Sequence, residues 1–156
     1  MNNDCEILTK LAQRTISYFH EDLAIEIDND FSISDVDKIE YFDISTLISL
    51  NGDMAGTVGM SVTNKLSHTM VENFIYGDIS QAEIEEMASE NVAETLNITL
   101  GNILKELSVI KTGGNINIST PYTMHNSVSV TKKKNGKMFL CKIKSNDEII
   151  LLSYFV

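Results

Sequence analysis

Four residues of one stretch combine polar chemistry with the spacing of a single helix face: Glu90, Glu94, Asn97 and Gly101. At about 100° per residue they fall on one side of a helix, opposite a broad apolar arc. That arc consists of Val92, Ala93, Leu96, Leu100, Ile103, Leu104 and Leu107. The pattern predicts an amphipathic helix whose apolar side packs in the core and whose polar side carries the four residues.

Asn97 and Gly101 are unexpected on such a face, because both are poor helix formers that cost several tenths to about 1 kcal/mol relative to alanine. Neither lies at a helix end, where such residues are usual. A glycine lets another surface approach the helix backbone, and Asn97 places an uncharged amide one turn from the Glu94 carboxylate. This combination indicates a contact surface for a partner, and an ordinary solvated face is the alternative that the residues leave open.

Other familiar catalytic signatures are absent from the sequence. There is no P-loop, no GxGxxG and no GxSxG motif. The histidines His20, His68 and His125 lack the spacing of metal ligands. Cys5 and Cys141 have no CxxC spacing and are expected to be reduced thiols. The sequence therefore predicts neither a metal site nor a bound cofactor in this chain.

The composition bounds the class of protein and its partners. The chain has 156 residues, 43% of them hydrophobic, which fits a single domain over residues 1–156. Asp and Glu number 22 against 12 Lys and Arg, for a formal net charge of −10. Such a surface repels nucleic-acid phosphates and anionic lipid, so we expect no nucleic-acid or membrane partner. With no signal peptide and no long apolar stretch, the protein is expected to be cytoplasmic.

The helical segments follow from apolar periodicity and from end signals. Residues 4–27 and 64–76 show helical spacing, and Gly77 is a suitable stop for the second of these. Ser80 and Glu83 form a capping box that opens a long helix, which we expect to run to about Ile110.

The strand segments alternate apolar and polar residues around turn signals. A hairpin is predicted around Asn51-Gly52, and a short strand is expected within the connector 29–43. A strand at 116–118 leads to Pro121, and a three-stranded antiparallel meander follows, ending in Ile149–Val156. Together the elements predict an α+β fold with two layers, long helices packed on a mostly antiparallel sheet.

The motif itself resembles a known signature. Glu94-Thr-Leu-Asn97, then Gly101-Asn102, and Pro121 after a β-like stretch, resemble the CheC/CheX/FliY chemotaxis phosphatases. The order of elements agrees with that family as well. The resemblance is specific over residues 90–121 and architectural elsewhere.

The spacing in this chain is Glu90-x3-Glu94-x2-Asn97-x23-Pro121, which departs from the family in two ways. Glu90 stands where the family usually has Asp or Ser. The interval from Asn97 to Pro121 is one residue longer than usual and contains Gly113-Gly114. CheC-type members carry a second Glu-x-x-Asn helix near the N-terminus. The N-terminal segment has only Glu26/Asn29 where the helix should be ending, so the chain is more similar to CheX.

The resemblance implies hydrolysis of the aspartyl phosphate of a phosphorylated CheY-like response regulator. Asn97 would position the attacking water, and Glu94 would pair with the regulator's lysine. Gly101 would allow close approach of the helix, Glu90 would be a peripheral contact, and Pro121 would be structural. The Mg²⁺ ion is expected in the regulator, and no cofactor is expected in this chain.

The resemblance also implies a homodimer joined through sheet edges, for which Ile149–Val156 offers a strand with few charges. The alternative for the same segment is a central strand. Two other readings stay open. A catalytically inactive relative would bind a regulator or act in a flagellar-switch complex, and a buried Asn97 would favour it. Alternatively, the motif is coincidental in an unrelated structural or oligomerisation domain.

Overall fold

The computed structural model describes residues 3–75 and 77–156. Within these ranges the helices are α1 (Asn3–Glu21), α2 (Asn64–Phe74), α3 (Gln81–Leu104) and the short α4 (Ser108–Lys111). The strands are β1 (Phe31–Asp35), β2 (Lys38–Glu40), β3 (Ile44–Gly52), β4 (Gly56–Val62), β5 (Ile116–Ile118), β6 (Tyr122–His125), β7 (Ser129–Thr131), β8 (Met138–Ser145) and β9 (Glu148–Phe155).

The main sheet has seven strands and is antiparallel in all its described pairings. Its order is β1-β8-β9-β4-β3, and both β5 and β6 lie along the outer edge of β3. The strands β2 and β7 form a separate two-stranded sheet. With α1 and α3 packed on the main sheet and α2 packed on α3, the predicted α+β class and mostly antiparallel sheet are confirmed.

The core lies between the helices and one face of the main sheet. Alternate residues of the central strands point into it, as Val58, Met60 and Val62 do from β4, because successive side chains of a strand face opposite ways. The other face carries a smaller cluster around Ile39 and Tyr41. This second cluster places the two-stranded sheet against the back of the main one.

The first helix is shorter than predicted. It ends at Glu21, and a turn follows in which Ala24 has a φ of 52° and the backbone N–H of Ile25 donates to the carbonyl of Phe19 at 2.9 Å. The left-handed backbone at Ala24 ends the α-helix, so assigning residues up to 27 to the helix was wrong, although Leu23, Ile25 and Ile27 are buried. The Asn73 side chain of α2 donates to the carbonyl of Leu23 at 2.9 Å and fixes this turn.

The long helix also ends early, at Leu104 rather than near Ile110. A turn follows, and α4 begins with its own N-terminus. The Glu6 carboxylate of α1 accepts hydrogen bonds from the backbone N–H of Ser108 at 3.0 Å and from its hydroxyl at 2.8 Å. A carboxylate from a distant helix therefore satisfies the first amide of α4 and favours the break.

The prediction of a three-stranded C-terminal meander is wrong for its first strand. The strand β7 pairs with β2 and not with β8, so only β8 and β9 form the predicted hairpin. The last strand lies between β8 and β4, inside the sheet, and Ile150, Leu151 and Leu152 are all buried. Its low charge reflects burial on both faces, and the expectation that Ile149–Val156 is an edge for dimerisation is wrong. The hairpin at Asn51-Gly52 is confirmed as β3 and β4.

The helix α3 has 24 residues and begins as predicted. The Ser80 hydroxyl accepts from the backbone N–H of Glu83 at 3.2 Å, and the Glu83 carboxylate accepts from the backbone N–H of Ser80 at 2.8 Å. This reciprocal pair satisfies two amides that a helix start leaves open. Among the described residues, no helix has the length and apolarity needed to cross a membrane.

Replacing Ser80 by alanine should lower the free energy of unfolding by about 1 kcal/mol, since the cap hydroxyl is lost. Ser80→Asp keeps an acceptor at the cap and should stay near the wild-type value. Urea denaturation followed by circular dichroism measures both variants. Equal stability of the alanine and aspartate variants would contradict a stabilising role for the capping box.

Candidate functional site

The structure places Glu90, Glu94, Asn97 and Gly101 along one side of α3, which we call the motif face. Glu90, Glu94 and Gly101 are exposed, and Asn97 is partly exposed. At 1.5 Å per residue the face extends about 16 Å along the helix. The predicted grouping of these residues is therefore present, and Asn97 is not in the buried position that would have favoured an inactive relative.

The polar side chains of the motif face have no partners within the described part of the chain. Glu90, Glu94 and Asn97 make no hydrogen bond or ion pair there. Two carboxylates and one carboxamide therefore keep their full hydrogen-bonding capacity for another molecule.

Gly101 is not required by the packing of the chain itself. A Cβ atom built at this position meets no atom within 4 Å, and the backbone is not in the left-handed region. The helix therefore carries a destabilising residue with no internal contact that demands it. The absence of a side chain at Gly101 leaves the helix backbone exposed one turn beyond Asn97.

The flank of α3 next to the motif face is held by α1. Arg14, the one arginine of the sequence, donates from Nε to the Asn102 side-chain oxygen at 2.9 Å. The Tyr18 side chain lies next to that of Thr95, whose hydroxyl donates to the carbonyl of Asn91 at 2.8 Å. Burial is the largest effect raising the pKa of Tyr18, and the carboxylates of Asp22 and Glu94 raise it further, so this hydroxyl is protonated at neutral pH.

Sequence reasoning missed these anchors of the motif helix. The apolar spacing of residues 4–27 includes Tyr18 as an ordinary core position and gives no role to Arg14. The available signal was their spacing of four residues on α1, which predicts that they share a face. Periodicity does not tell which helix that face meets.

Pro121 lies in the segment between β5 and β6, at the edge of the sheet and not on α3. The strand β5 pairs with the end of β3 near Leu50, while β6 pairs with its beginning near Ile44. Proline has no N–H to donate, so it suits the break between these two short ladders. The strand β6 also packs against α3, which links this edge to the motif helix.

A groove that the sequence did not reveal lies beside the motif face. It has a volume of about 230 Å³ and is lined by Val71, Phe74, Met87, Glu90, Asn91 and Glu94. The α2 residues form one wall and the α3 residues form the other. Phe74 fits the apolar spacing of residues 64–76, which predicts a buried ring, but its side chain is 50% exposed.

The remaining titratable groups offer little nucleophilic or metal-binding chemistry. Burial raises the pKa of the Cys141 thiol to about 12, so it stays protonated at neutral pH. Within residues 3–75 and 77–156, no three His, Cys, Asp or Glu side chains come together as metal ligands. Any chemistry at the motif face therefore relies on its amide and carboxylates.

Comparison with known proteins gives a family and a fold. Residues 44–144 match the family model described as chemotaxis phosphatase CheX. No curated protein sequence matches the chain significantly. The matched residues include all of α3 and Pro121.

Solved structures of similar fold cover nearly the whole chain. A chemotaxis protein CheX from Desulfovibrio desulfuricans is 16% identical, with a TM-score of 0.77 over 96% of this chain and 97% of its own. A CheC-like superfamily protein from Shewanella sp. PV-4 is 16% identical, with a TM-score of 0.78 over 99% and 98%. A CheX from Borrelia burgdorferi, solved with CheY, beryllofluoride and Mg²⁺, is 17% identical, with a TM-score of 0.69 over 97% and 96%.

Gly101→Ala should raise the free energy of unfolding by about 0.5–1 kcal/mol, because alanine is the better helix former and its Cβ meets open space. Gly59→Ala is the opposite case. Its Cβ would lie 2.5 Å from the Ser153 hydroxyl and 2.8 Å from a Leu47 methyl, so it should destabilise the fold. Chemical denaturation of both variants tests the contrast, and a destabilised Gly101→Ala protein would show that this glycine serves the fold.

Proposed function

Because the chain belongs to the CheX family of chemotaxis phosphatases, we propose that it hydrolyses the aspartyl phosphate of a CheY-type response regulator. The observation that carries the proposal is the motif face, where Glu94 and Asn97 are accessible and have no partners in the described residues. A solved relative from Borrelia burgdorferi is bound to CheY with beryllofluoride and Mg²⁺, which supports this class of partner.

In this proposal Asn97 orients the attacking water. The phosphoryl group is already rich in negative charge, so a carboxylate in this place would be repelled. An amide can accept a hydrogen from water and hold its oxygen in line with the bond that breaks, without adding charge. Positioning of this kind lowers the entropic part of the barrier and needs no nucleophile or base from the protein. The Mg²⁺ ion belongs to the regulator, where it neutralises charge on the phosphoryl oxygens.

Glu94 docks the helix by pairing with a lysine of the regulator. The carboxylate is exposed and has no ion-pair partner within the described chain, so the pair forms without breaking an internal one. A charge-assisted hydrogen bond at the centre of an interface also fixes the orientation of Asn97, one turn away. Gly101 allows the partner to approach the helix backbone, and Glu90 contacts it at the periphery.

An inactive regulator-binding protein is the competing function, and the same residues distinguish it. A binding protein needs Glu94 and Gly101 for docking but has no need for an amide that is free to hold water. The partly exposed Asn97 favours the phosphatase. The measured rate of dephosphorylation of the regulator decides between a phosphatase and an inactive binding protein.

Asn97→Ala should slow dephosphorylation of the regulator by about 100-fold or more, because the attacking water loses its orientation. Asn117→Ala removes an exposed amide from β5 and should leave the rate unchanged. The assay follows decay of the ³²P-labelled, phosphorylated regulator with Mg²⁺ at increasing concentrations of each variant. The phosphatase proposal would be wrong if the wild-type protein accelerated the dephosphorylation of no CheY-type regulator from the same cell.

Gly101→Ala should lower kcat/KM by about tenfold while it stabilises the protein, since the added methyl group holds the regulator away from the helix. Opposite signs in activity and stability separate a docking role from a folding role. Lys105→Ala, at the C-cap of α3 one turn beyond Gly101, serves as the matched control. A Gly101→Ala enzyme with wild-type kcat/KM would refute the close approach.

We also propose that the protein forms a homodimer, now through an outer strand other than β9. The strands available at the edges of the main sheet are β1 on one side and β5 with β6 on the other. Sedimentation equilibrium should give twice the chain mass of 17.4 kDa. A monomer mass at micromolar concentration would contradict this prediction without touching the phosphatase proposal.

A further inference from the structure

The groove beside the motif face, between α2 and α3, has mixed chemistry. Its apolar walls are Val71, Phe74 and Met87, and its polar lining consists of two carboxylates and one amide. Its volume of about 230 Å³ is smaller than the roughly 300–1,000 Å³ typical of small-molecule sites. The space suits one long side chain better than a metabolite.

The carboxylates of the groove are acceptors without donors, since Glu90 and Glu94 have no ion pair within the described residues. Beside them the Asn91 side-chain oxygen is buried and has no hydrogen-bond partner, one of three such atoms in the described residues. Carboxylates without donors favour an occupant that donates hydrogen bonds over one that does not.

One apolar residue of the groove is exposed to an unusual degree. Phe74 is 50% exposed, one of three large hydrophobic residues in the described chain with this much surface in water. Its ring is on the wall that faces the carboxylates of α3. An aromatic ring next to acidic groups favours an occupant that has both an apolar stem and a positive charge.

Building on the function proposed above, we propose that the groove binds a second basic side chain of the response regulator, a lysine or arginine outside its phosphorylation site. The stem lies against Phe74 and Met87, and the charge is next to Glu90. Glu94 stays with the lysine of the phosphorylation site. An apolar occupant would desolvate the carboxylates without compensation, and an acidic one would be repelled.

The groove and the motif face share Glu90 and Glu94, so one docked partner covers both. The contact of Glu94 and Asn97 with the phosphorylation site recognises features that regulators of this class share. The groove recognises a basic residue at one place on the regulator's surface, and it therefore selects among regulators. The acidic lining acts in partner choice even though the whole chain carries a net charge of −10.

The test measures both affinity and turnover. Isothermal titration calorimetry gives the Kd for the Mg²⁺- and beryllofluoride-bound regulator, and the decay assay gives kcat and KM. Glu90→Gln and Phe74→Ala should each raise Kd and KM about 5-fold, with kcat little changed. Asn91→Asp should hold or lower KM, because it keeps the acceptor and adds a charge. Glu86→Gln, exposed on the same helix and outside the groove, should have no effect.

A double-mutant cycle identifies the occupant. Each surface lysine and arginine of the regulator is replaced by alanine and paired with Glu90→Gln. One basic residue outside the phosphorylation site should lose its effect on Kd when Glu90 is already neutral. Urea denaturation of every variant separates loss of binding from loss of folding, and both Glu90 and Phe74 are on the surface.

Unchanged Kd for Glu90→Gln and Phe74→Ala would overturn the inference, as would the absence of any coupled basic residue. A higher KM for Asn91→Asp together with a lower one for Asn91→Leu would mean an apolar occupant, which also overturns it. If the protein dephosphorylates the regulator rapidly and the groove variants have wild-type Kd and KM, the phosphatase proposal stands without the groove. If the groove variants weaken binding but the protein does not dephosphorylate the regulator, the groove proposal stands and the phosphatase proposal fails. Failure of every regulator to bind removes both.

Discussion

The packing of α3 fixes which way its polar side faces, and the candidate site depends on that rotation. Val92, Leu96, Leu100 and Ile103 are at most 2% exposed. Burying each contributes about 1.5–3 kcal/mol, whereas Asn97 and Gly101 together cost the helix about 1.5 kcal/mol. The buried side can therefore hold the helix while two helix-weakening residues stand on the other. A rotation of one residue about the helix axis would bury the motif face and expose the core.

Polar residues inside this packed side are satisfied locally. Thr95 and Thr99 are buried, and each hydroxyl donates to a carbonyl one turn earlier, at 2.8 Å. They add no unpaired group to the core. Tyr18 of α1 lies next to Thr95, and Arg14 of α1 donates to the Asn102 side chain, so α1 contacts α3 beside Glu94 and Gly101. The helix that carries the site is thus held from the sheet below and from α1 at its flank.

Local features of the chain were predictable from the sequence because their causes are local. The capping box at Ser80 lies within four residues, and the two sides of α3 follow from side chains three and four apart. The α+β class follows from the change of period along the chain. The motif face, from Glu90 to Gly101, could be predicted for the same reason.

Features that depend on distant residues could not be predicted. The break between α3 and α4 involves Glu6 and Ser108, which are 102 residues apart in the chain. The central position of β9 depends on pairing with β4, and its apolar run alone fits an edge or a centre equally well. The groove requires Phe74 of α2 to stand beside Asn91 of α3, a relation that neither helix pattern contains.

The central claim is that Asn97 acts on water and not on docking. The most direct test compares the affinity of Asn97→Ala for the Mg²⁺- and beryllofluoride-bound regulator with its turnover of the phosphorylated one. The account predicts an affinity within about twofold of wild type and a kcat that falls by about two orders of magnitude. A loss of affinity as large as the loss of rate would contradict it, because Asn97 would then be a docking residue.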